Sequence, residues 1–398
     1  MHDLFSTRSG VDLTPNRLAS ALAKLDAEGT PFLDLTLSNP TRAGFEYSDA
    51  LLAPLATSRG LLYEPSALGT TEAREAVAAD FARRSIHLAA DRVVLTASTS
   101  EAYSVLFKLL ADPGDEILVP RPSYPLFAHL ARLDALVTRE YDLEYHGEWS
   151  IDIASVSAAM TTRTRALLLV SPNNPTGSFV SRPELDGLVE ICAPRGVAIV
   201  ADEVFADYEL SAGAARRAGR VLECGDVLSF SLGGLSKSVG LPQVKLAWMG
   251  VAGPAKAVER ALERLELICD TYLSVSTPVQ AALAELLDRG AAVRDQIAQR
   301  VAANYRMLVN RSAATPSCRV LHSDGGWYGI VQVPSIEPEE DIVLRLLAED
   351  RVLTHPGYFF DFTREAFLVV SLLLPPATFQ DGVDRLFRHF DCNLPTEP

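Results

Sequence analysis

The segment that decides the fold runs from Phe230 to Pro242. It reads Phe-Ser-Leu-Gly-Gly-Leu-Ser-Lys-Ser-Val-Gly-Leu-Pro and contains one lysine, Lys237. The chain has five lysines and thirty-one arginines, so arginine supplies nearly all of its ordinary positive surface charge. A lone loop lysine is usually only an exposed side chain, but one between serine and glycine after an apolar run needs another reason. A Schiff base is one chemistry that needs lysine and cannot use arginine, because the amine must lose its proton.

Two further polar segments precede this one, and each follows an apolar run that is predicted to be a buried strand. Residues 171–177 read Ser-Pro-Asn-Asn-Pro-Thr-Gly, and Asp202-Glu203 ends the run that begins at Val197. Alone, the first would be a turn and the second a helix N-cap. In this order and spacing, the three segments make the chain resemble the class I/II aminotransferases, fold-type-I enzymes that depend on pyridoxal 5′-phosphate (PLP). The resemblance covers about residues 35–386.

Short apolar runs alternate with longer amphipathic stretches through the middle of the chain. Five runs are predicted strands: residues 92–96, 116–119, 166–170, 197–200 and 227–230. Three stretches are predicted helices: residues 101–110, 182–192 and 255–267. Alternating strands and helices favour an α/β fold with a mostly parallel sheet, whose chemistry lies at the carboxyl ends of the strands.

The pattern changes after about residue 284. Helices are predicted over 289–309, 339–350 and 378–389, and apolar runs over 325–333 and 367–371. These elements predict a smaller α/β domain. The resemblance implies that this domain is discontinuous, with a large PLP-binding domain over 45–284 and a small domain over 1–44 and 285–398.

Composition narrows the class of partner. The chain of 398 residues is 48% apolar and suits two globular domains, and its net charge of −15 argues against nucleic acid or an anionic membrane. No apolar run reaches the length of a membrane span, and the N-terminus lacks a signal-peptide pattern. Five dispersed cysteines favour free thiols in a reducing, cytoplasmic compartment, and seven dispersed histidines predict no metal site.

The resemblance implies a role for each cofactor-contacting position. Asp202 faces the pyridine nitrogen and keeps the ring protonated, and Asn174 bonds the phenolic oxygen O3′. Ser98-Thr99-Ser100, at a predicted helix start, binds the phosphate, although a capping box between Ser98 and Glu101 would suit the same residues. Tyr124 stacks on the pyridine face unless it is a core tyrosine. Tyr63 reaches the phosphate of a neighbouring subunit, which implies a homodimer.

Four positions near the predicted lysine site depart from the family pattern. Phe205 stands where a tyrosine commonly donates to O3′, and its loss should raise the pKa of the cofactor's protonated Schiff base. Lys245 replaces a phosphate-binding arginine and loses the bidentate fork, while Gly234 stands two residues before Ser236 where a serine is frequent. Val369 replaces the arginine that binds the substrate's α-carboxylate.

The departure at Val369 leaves the substrate anchor open. A buried carboxylate needs a charged partner, so either another arginine supplies it or the substrate lacks a carboxylate in the usual pose. Arg42, close to Ser38 in a segment that resembles the pocket-lining N-terminal strand, is the first candidate and Arg364 the second. A solvated surface role suits either arginine equally. Residues 270–273 contain no arginine, which disfavours a dicarboxylic donor.

The predicted activity is therefore transfer of an amino group between a monocarboxylic, apolar or aromatic amino acid and a 2-oxo acid. Lys237 would hold PLP as a Schiff base and then shuttle the substrate proton, with Asp202 as its partner. A β-eliminating C–S lyase could use the same residues and is the main alternative. A non-enzymatic transcription regulator is a remote one, because the roughly forty residues before the matched region are not basic.

Overall fold

The computed structural model describes residues 4–10 and 14–392. The α-helices are α1 Arg17–Ala27, α2 Thr71–Arg83, α3 Thr99–Leu110, α4 Leu126–Leu133, α5 Ile153–Ala159, α6 Arg182–Cys192, α7 Ala214–Arg217, α8 Leu235–Ser238, α9 Ala255–Tyr272, α10 Thr277–Ser312, α11 Glu339–Arg345 and α12 Pro376–Cys392. The strands are β1 Leu33–Asp34, β2 Val93–Thr96, β3 Glu116–Arg121, β4 Val137–Tyr145, β5 Trp149–Ile151, β6 Thr164–Val170, β7 Ala198–Asp202, β8 Ser229–Gly234, β9 Ala247–Ala252, β10 Arg319–Val320, β11 Tyr328–Gln332, β12 Val352–Leu353, β13 His355–Pro356 and β14 Phe367–Ser371.

The large sheet has eight strands in the order β2-β9-β8-β7-β6-β3-β4-β5. The five strands in the order β8-β7-β6-β3-β4 are parallel to their neighbours. Strand β9 pairs in the antiparallel sense with β8 and with β2, and the edge strand β5 pairs in the same sense with β4. All five predicted strands lie in this sheet. They were recognisable because strands buried on both faces are mostly apolar, as in β2, where Val93, Val94 and Leu95 are buried together with Thr96.

Helices cover both faces of the large sheet. On one face α3 and α9 bury residues such as Leu106 and Leu265 against the sheet. On the other face α5 and α6 bury residues such as Val156 and Leu188. The fold-type-I α/β architecture that was predicted is therefore confirmed in its central layer.

A second sheet, in the order β10-β11-β14-β13, is antiparallel and lies in the C-terminal third of the sequence. The N-terminal strand β1 pairs in parallel with β12, Leu33 opposite Val352, and so joins the two ends of the chain. The division at residue 284/285 stays a prediction. That position lies inside the long helix α10, which continues through it without a break.

The predicted helices form with small changes at their ends. α6 has the predicted bounds, whereas α9 extends to Tyr272, and the predicted helix over 289–309 is part of the longer α10. The predicted helix over 339–350 is an α-helix only as far as Arg345 and finishes as a π turn. No described helix is both long and apolar enough to cross a membrane.

Candidate active site

The ends of three neighbouring parallel strands bring the predicted chemistry to one edge of the large sheet. Asp202, the last residue of β7, lies opposite Val170 at the end of β6 and Leu232 near the end of β8. Asn174 follows β6 within four residues, and Lys237 follows β8 within three. The three segments that carry the family resemblance therefore meet where a parallel sheet places its ligands.

Lys237 lies in the short helix α8, and its amine is surrounded by aromatic rings. The amine nitrogen Nζ is 4.7 Å from the ring centroid of Trp327 and 5.5 Å from that of Phe205. The Tyr208 hydroxyl donates a hydrogen bond to the Lys237 carbonyl oxygen and so fixes its backbone.

Burial lowers the pKa of the Lys237 amine from 10.5 to about 8, although the carboxylate of Asp202 acts in the opposite direction. A shift of this size corresponds to roughly 3 kcal/mol in favour of the neutral amine. Attraction of the cation to an aromatic ring is worth about 0.5–2 kcal/mol, so desolvation prevails. Lys237 is consequently an amine with an appreciable free-base fraction near neutral pH.

Asp202 is held by two hydrogen bonds, one to each carboxylate oxygen. The Val204 backbone N–H donates to Oδ1 at 3.1 Å, and the Tyr103 hydroxyl donates to Oδ2 at 3.1 Å. Burial raises the pKa of Asp202 from 3.8 to about 6, and the two donors and Lys237 oppose that rise. At pH 7 most of the Asp202 carboxyl is ionised, so it can hold a protonated ring nitrogen.

Asn174 and Asn173 are both buried, but only one of them is used in the packing. Asn173 accepts from the Ser123 hydroxyl and donates to the carbonyl of Pro122 and the hydroxyl of Thr176. The carboxamide oxygen of Asn174 is buried without a hydrogen-bond partner among the described residues. Such a group normally has a partner, so Asn174 is the residue that is available to a bound ligand.

The N-terminus of α3 forms the predicted phosphate end of the site. Ser98 is the N-cap, and its hydroxyl oxygen accepts from the Glu101 backbone N–H at 3.1 Å. Only this half of the expected capping box is present, because the Glu101 carboxylate accepts from Ala97 N–H and from the Ser274 hydroxyl instead. Thr99 and Ser100 occupy the first turn, where backbone N–H groups favour an anion.

The aromatic residues predicted to contact the cofactor are both accessible. Tyr124 is 45% exposed and follows Ser123, whose buried backbone N–H donates to the Phe360 carbonyl at 2.9 Å. Tyr63 is 68% exposed and lines a small cavity together with Thr96 and Glu101 of the same chain. Stacking by Tyr124 and a contribution of Tyr63 to a second subunit stay predictions.

Two of the three substrate candidates, Ser38 and Arg42, lie on the N-terminal segment. The Ser38 side chain is within hydrogen-bonding reach of the buried Tyr328. Arg42 ends a short 3₁₀ turn and its side chain is exposed. Arg364 lines a cleft of about 610 Å³ together with Trp149 and Phe362.

Three of the four positions that depart from the family pattern have a packing environment that the structure defines. Val369 is fully buried in β14, between Ile330 of β11 and His355 of β13. Phe205 packs edge-on against Trp327 with ring centroids 5.1 Å apart. A Cβ at Gly234 would lie 3.0 Å from the Cβ of Ala247, so a larger residue there would push β8 and β9 apart.

Lys245 and Ser236 flank this region of the backbone. Lys245 is exposed and has a left-handed backbone conformation with a φ of 60°. It directly precedes Leu246, whose carbonyl accepts from the backbone N–H of Leu235 in α8. Ser236 is partly buried beside Lys237. Phosphate binding by Lys245 and a cofactor contact by Ser236 stay predictions.

Sequence reasoning missed three residues of this site. Trp327 and Tyr208 contact Lys237, and Tyr103 contacts Asp202. Each is a fully buried aromatic residue, which in sequence is indistinguishable from ordinary core. Only Trp327 could have been suspected from the sequence, because the preceding Gly325-Gly326 pair indicates a backbone segment that lies close to another part of the protein.

The sequence profile of the family "Aminotransferase class I and II" matches residues 49–386. Nicotianamine aminotransferase A of Hordeum vulgare is 29% identical over 89% of this chain and 80% of its own length. Glutamate-pyruvate aminotransferase AlaA of Haemophilus influenzae is 28% identical over 88% of each chain. The solved structure of alanine aminotransferase from Pyrococcus furiosus superposes with a TM-score of 0.87 and 23% identity, covering 98% of this chain and all of the other.

The chain therefore belongs to the class I and II aminotransferase family and is a PLP-dependent aminotransferase. The predicted activity class, enzyme class and cofactor are confirmed, and nothing favours the C–S lyase alternative. The residues fit the cofactor: Asn174 has a buried carboxamide whose oxygen lacks a partner among the described residues and whose NH₂ group can donate to a phenolic oxygen, Asp202 has an ionisable carboxylate, and Lys237 has a desolvated amine.

Proposed function

We propose that Lys237 is the residue that attaches PLP and that Asp202 and Asn174 hold its ring. When bound, PLP supplies an aldehyde that condenses with amines and a protonated ring that withdraws electrons from the substrate's Cα. Asp202 keeps a proton on the ring nitrogen, and Asn174 is free to bond the phenolic oxygen. The observation that carries this assignment is the meeting of Asn174, Asp202 and Lys237 at adjacent strand ends.

Proton transfer is the proposed work of the Lys237 amine. Because the pKa of Nζ is about 8, this nitrogen can both accept a proton from the substrate's Cα and give the proton up again at a pH close to 8. The rings of Trp327 and Phe205 lie beside this nitrogen and limit its contact with water, and Tyr208 keeps the backbone of α8 in place. These three side chains therefore tune and position Lys237 without reacting themselves.

We propose that the amino donor is a monocarboxylic amino acid with an apolar or aromatic side chain and that the acceptor is a 2-oxo acid. The buried valine at position 369 in β14 offers no charge to the donor's α-carboxylate, so another group must bind it. Arg42 is the proposed anchor, with Ser38 beside it on the same segment, and Arg364 is the alternative. The names of the relatives differ in substrate, and residues 270–273 contain no arginine for a second carboxylate.

The proposed reaction is tested by assaying the purified protein against a panel of amino donors and 2-oxo acids. Transamination predicts that product forms only when both an amino acid and a 2-oxo acid are present. Apolar and aromatic donors should give higher kcat/KM than aspartate or glutamate. Release of pyruvate and ammonia from a cysteine derivative without any oxo acid would instead support elimination.

We propose that the enzyme is a cytoplasmic homodimer. Leu61, Leu62 and Tyr63 form a run of three exposed large apolar side chains, 87%, 62% and 68% accessible, and Tyr272 across the same small cavity is also exposed. Contact with a second copy would bury this apolar surface. The cytoplasmic assignment is supported by the free thiols of Cys192, Cys224, Cys269 and Cys318; Cys392 lies outside the described side chains.

Subunit complementation tests the role of Tyr63 in the dimer. Lys237→Ala and Tyr63→Phe proteins, mixed under conditions of subunit exchange, form heterodimers with one intact site if Tyr63 acts in trans. Activity should then rise above that of either parent variant. If exchange is demonstrated by mass spectrometry and activity stays at the parental level, Tyr63 acts within its own chain or has no role.

A further inference from the structure

Tyr103 connects the interior of helix α3 to the Asp202 carboxylate. Its side chain is 2% exposed and packs against Phe107 and Phe127, with ring centroids 6.1 Å and 5.3 Å away. The hydroxyl donates to Asp202 Oδ2 at 3.1 Å across 99 residues of sequence. A buried phenol that packs against two aromatic rings has little freedom to leave this carboxylate.

The two donors on Asp202 fix both its charge and its orientation. The Val204 backbone N–H occupies Oδ1 and Tyr103 occupies Oδ2, so rotation of the carboxylate would break both hydrogen bonds. Tyr103 can only donate, because burial and the nearby carboxylate raise its pKa well above 10. It therefore does not compete with Asp202 for a ring proton.

We propose that Tyr103 is a positioning residue for transamination, whose hydroxyl keeps the Asp202 carboxylate ionised and aimed at the cofactor's pyridine nitrogen. This inference rests on the proposed role of Asp202. Helix α3 then serves both ends of the cofactor, because its first turn carries Ser98–Ser100 and its second turn carries Tyr103.

Other charged and titratable groups around Asp202 set the background against which Tyr103 acts. Lys237 of α8 favours the ionised carboxylate, and Glu203, the next residue along the chain, opposes it. Tyr141 of β4 lies close enough to act on Tyr103. None of these groups is changed by a substitution at position 103, so a change in titration reports the lost hydroxyl.

The test uses cofactor-free protein and 4′-deoxypyridoxine 5′-phosphate, which has the ring and phosphate of PLP but no aldehyde. Its Kd is measured by fluorescence quenching between pH 5 and 9. Removing a hydrogen bond to a charged group should raise the pH midpoint for binding by about one unit in Tyr103→Phe. Tyr141→Phe is a stringent control, because Tyr141 is equally buried and near Tyr103 but its hydroxyl donates to the Leu168 carbonyl and not to Asp202.

A variant with 3-fluorotyrosine at position 103 makes the test independent of folding defects. The fluorinated phenol is a stronger donor of nearly the same shape, so it should lower the same midpoint. If Tyr103 had a purely structural role, the fluorinated protein would not shift the pH midpoint of binding in the direction opposite to Tyr103→Phe. Equal midpoints for the wild type, Tyr103→Phe and the fluorinated protein would overturn the proposal, as would an upward shift of similar size in Tyr141→Phe.

Asp202→Asn separates this inference from the assignment beneath it. If Asp202 faces the ring nitrogen, this variant loses the pH midpoint that the Tyr103 substitutions move. If Asp202→Asn titrates like the wild type, the proposed role of Asp202 fails. If Asp202→Asn loses the midpoint while both Tyr103 variants keep it unmoved, only the role of Tyr103 fails.

Discussion

Replacing Asp202 by asparagine in the cofactor-free protein should lower the pKa of the Lys237 amine. Burial lowers that pKa from 10.5 to about 8, and the Asp202 carboxylate is the group that works against the shift. A single opposite charge in a protein site changes a pKa by about 1 to 3 units, so Asp202→Asn should bring the Lys237 pKa to about 7 or below.

The magnitude follows from the fraction of free amine at pH 7. An amine with a pKa of 10.5 is about 0.03% unprotonated there, and one with a pKa of 8 is about 9% unprotonated, a gain of roughly 300-fold. Lowering the pKa by one further unit raises the free fraction to about one half. The predicted change in reactivity at pH 7 is therefore about fivefold between wild type and variant.

Competitive labelling measures this pKa directly. Trace acetic anhydride is reacted with the protein and a reference peptide between pH 6 and 10, and acetylation of the Lys237 peptide is followed by mass spectrometry. The midpoint is independent of how slowly a buried amine reacts. Asp115→Asn is the control, because Asp115 pairs with Arg165 at the opposite end of β3. A wild-type midpoint near 10, or a higher midpoint in Asp202→Asn, would refute the reasoning.

Three further outcomes are expected. Arg42→Ala should raise KM for a monocarboxylic donor at least tenfold while cofactor affinity is unchanged. Equal kinetics in Arg42→Ala and wild type, or the same rise in KM in Arg364→Ala, would show that Arg42 is not the anchor of the carboxylate. Phe205→Tyr should lower the pH midpoint of the cofactor's visible band by about 1–2 units, because a new donor stabilises the phenolate; spectral titration that shows no change or a rise would contradict this. Gly233→Ala should lower the free energy of unfolding, measured with denaturant, by about 1–3 kcal/mol, because the new Cβ would lie 2.5 Å from Trp248 Nε1. An unchanged free energy of unfolding would show that the indole ring moves freely.

The strands of the large sheet were predictable because of where they lie. A parallel strand covered on both faces, such as β6 or β7, reads as an unbroken apolar run, and the polar residue that ends it marks the functional edge of the sheet. Asn174, Asp202 and Lys237 all lie at or just after the ends of such strands, and the family resemblance of their segments implied what each of them does. Their order along the chain follows from the strand order, so local sequence carried information about a long-range arrangement.

The environment of these residues could not be predicted in the same way. Tyr103 lies in the middle of a helix, where an aromatic residue is expected to be core, and nothing local shows that its hydroxyl reaches Asp202. Trp327 contacts Lys237 from 90 residues further along the chain, from the segment that leads into β11. The Tyr103 contact depends on how α3 packs on the large sheet, and the Trp327 contact depends on where the second sheet lies relative to the first, which no short pattern encodes.

The substrate side of the site illustrates a different limit. The absence of the usual arginine at Val369 was visible in sequence, and the structure shows this valine fully buried between β11 and β13. The group that binds the substrate's α-carboxylate in place of this arginine depends on where a charged side chain lies relative to the bound substrate. Arg42 is therefore a proposal that rests on chemistry and on its place in the N-terminal segment.

The most direct test of the account is to find the lysine that carries the cofactor. The PLP-loaded enzyme is reduced with borohydride, digested and analysed by mass spectrometry, with Lys237→Ala as the control. The account predicts a pyridoxyl group on the peptide that contains Lys237, loss of the visible band, and no tagged peptide in Lys237→Ala. A pyridoxyl group on Lys245, or an unchanged tag in the variant, would contradict the assignment on which the mechanism rests.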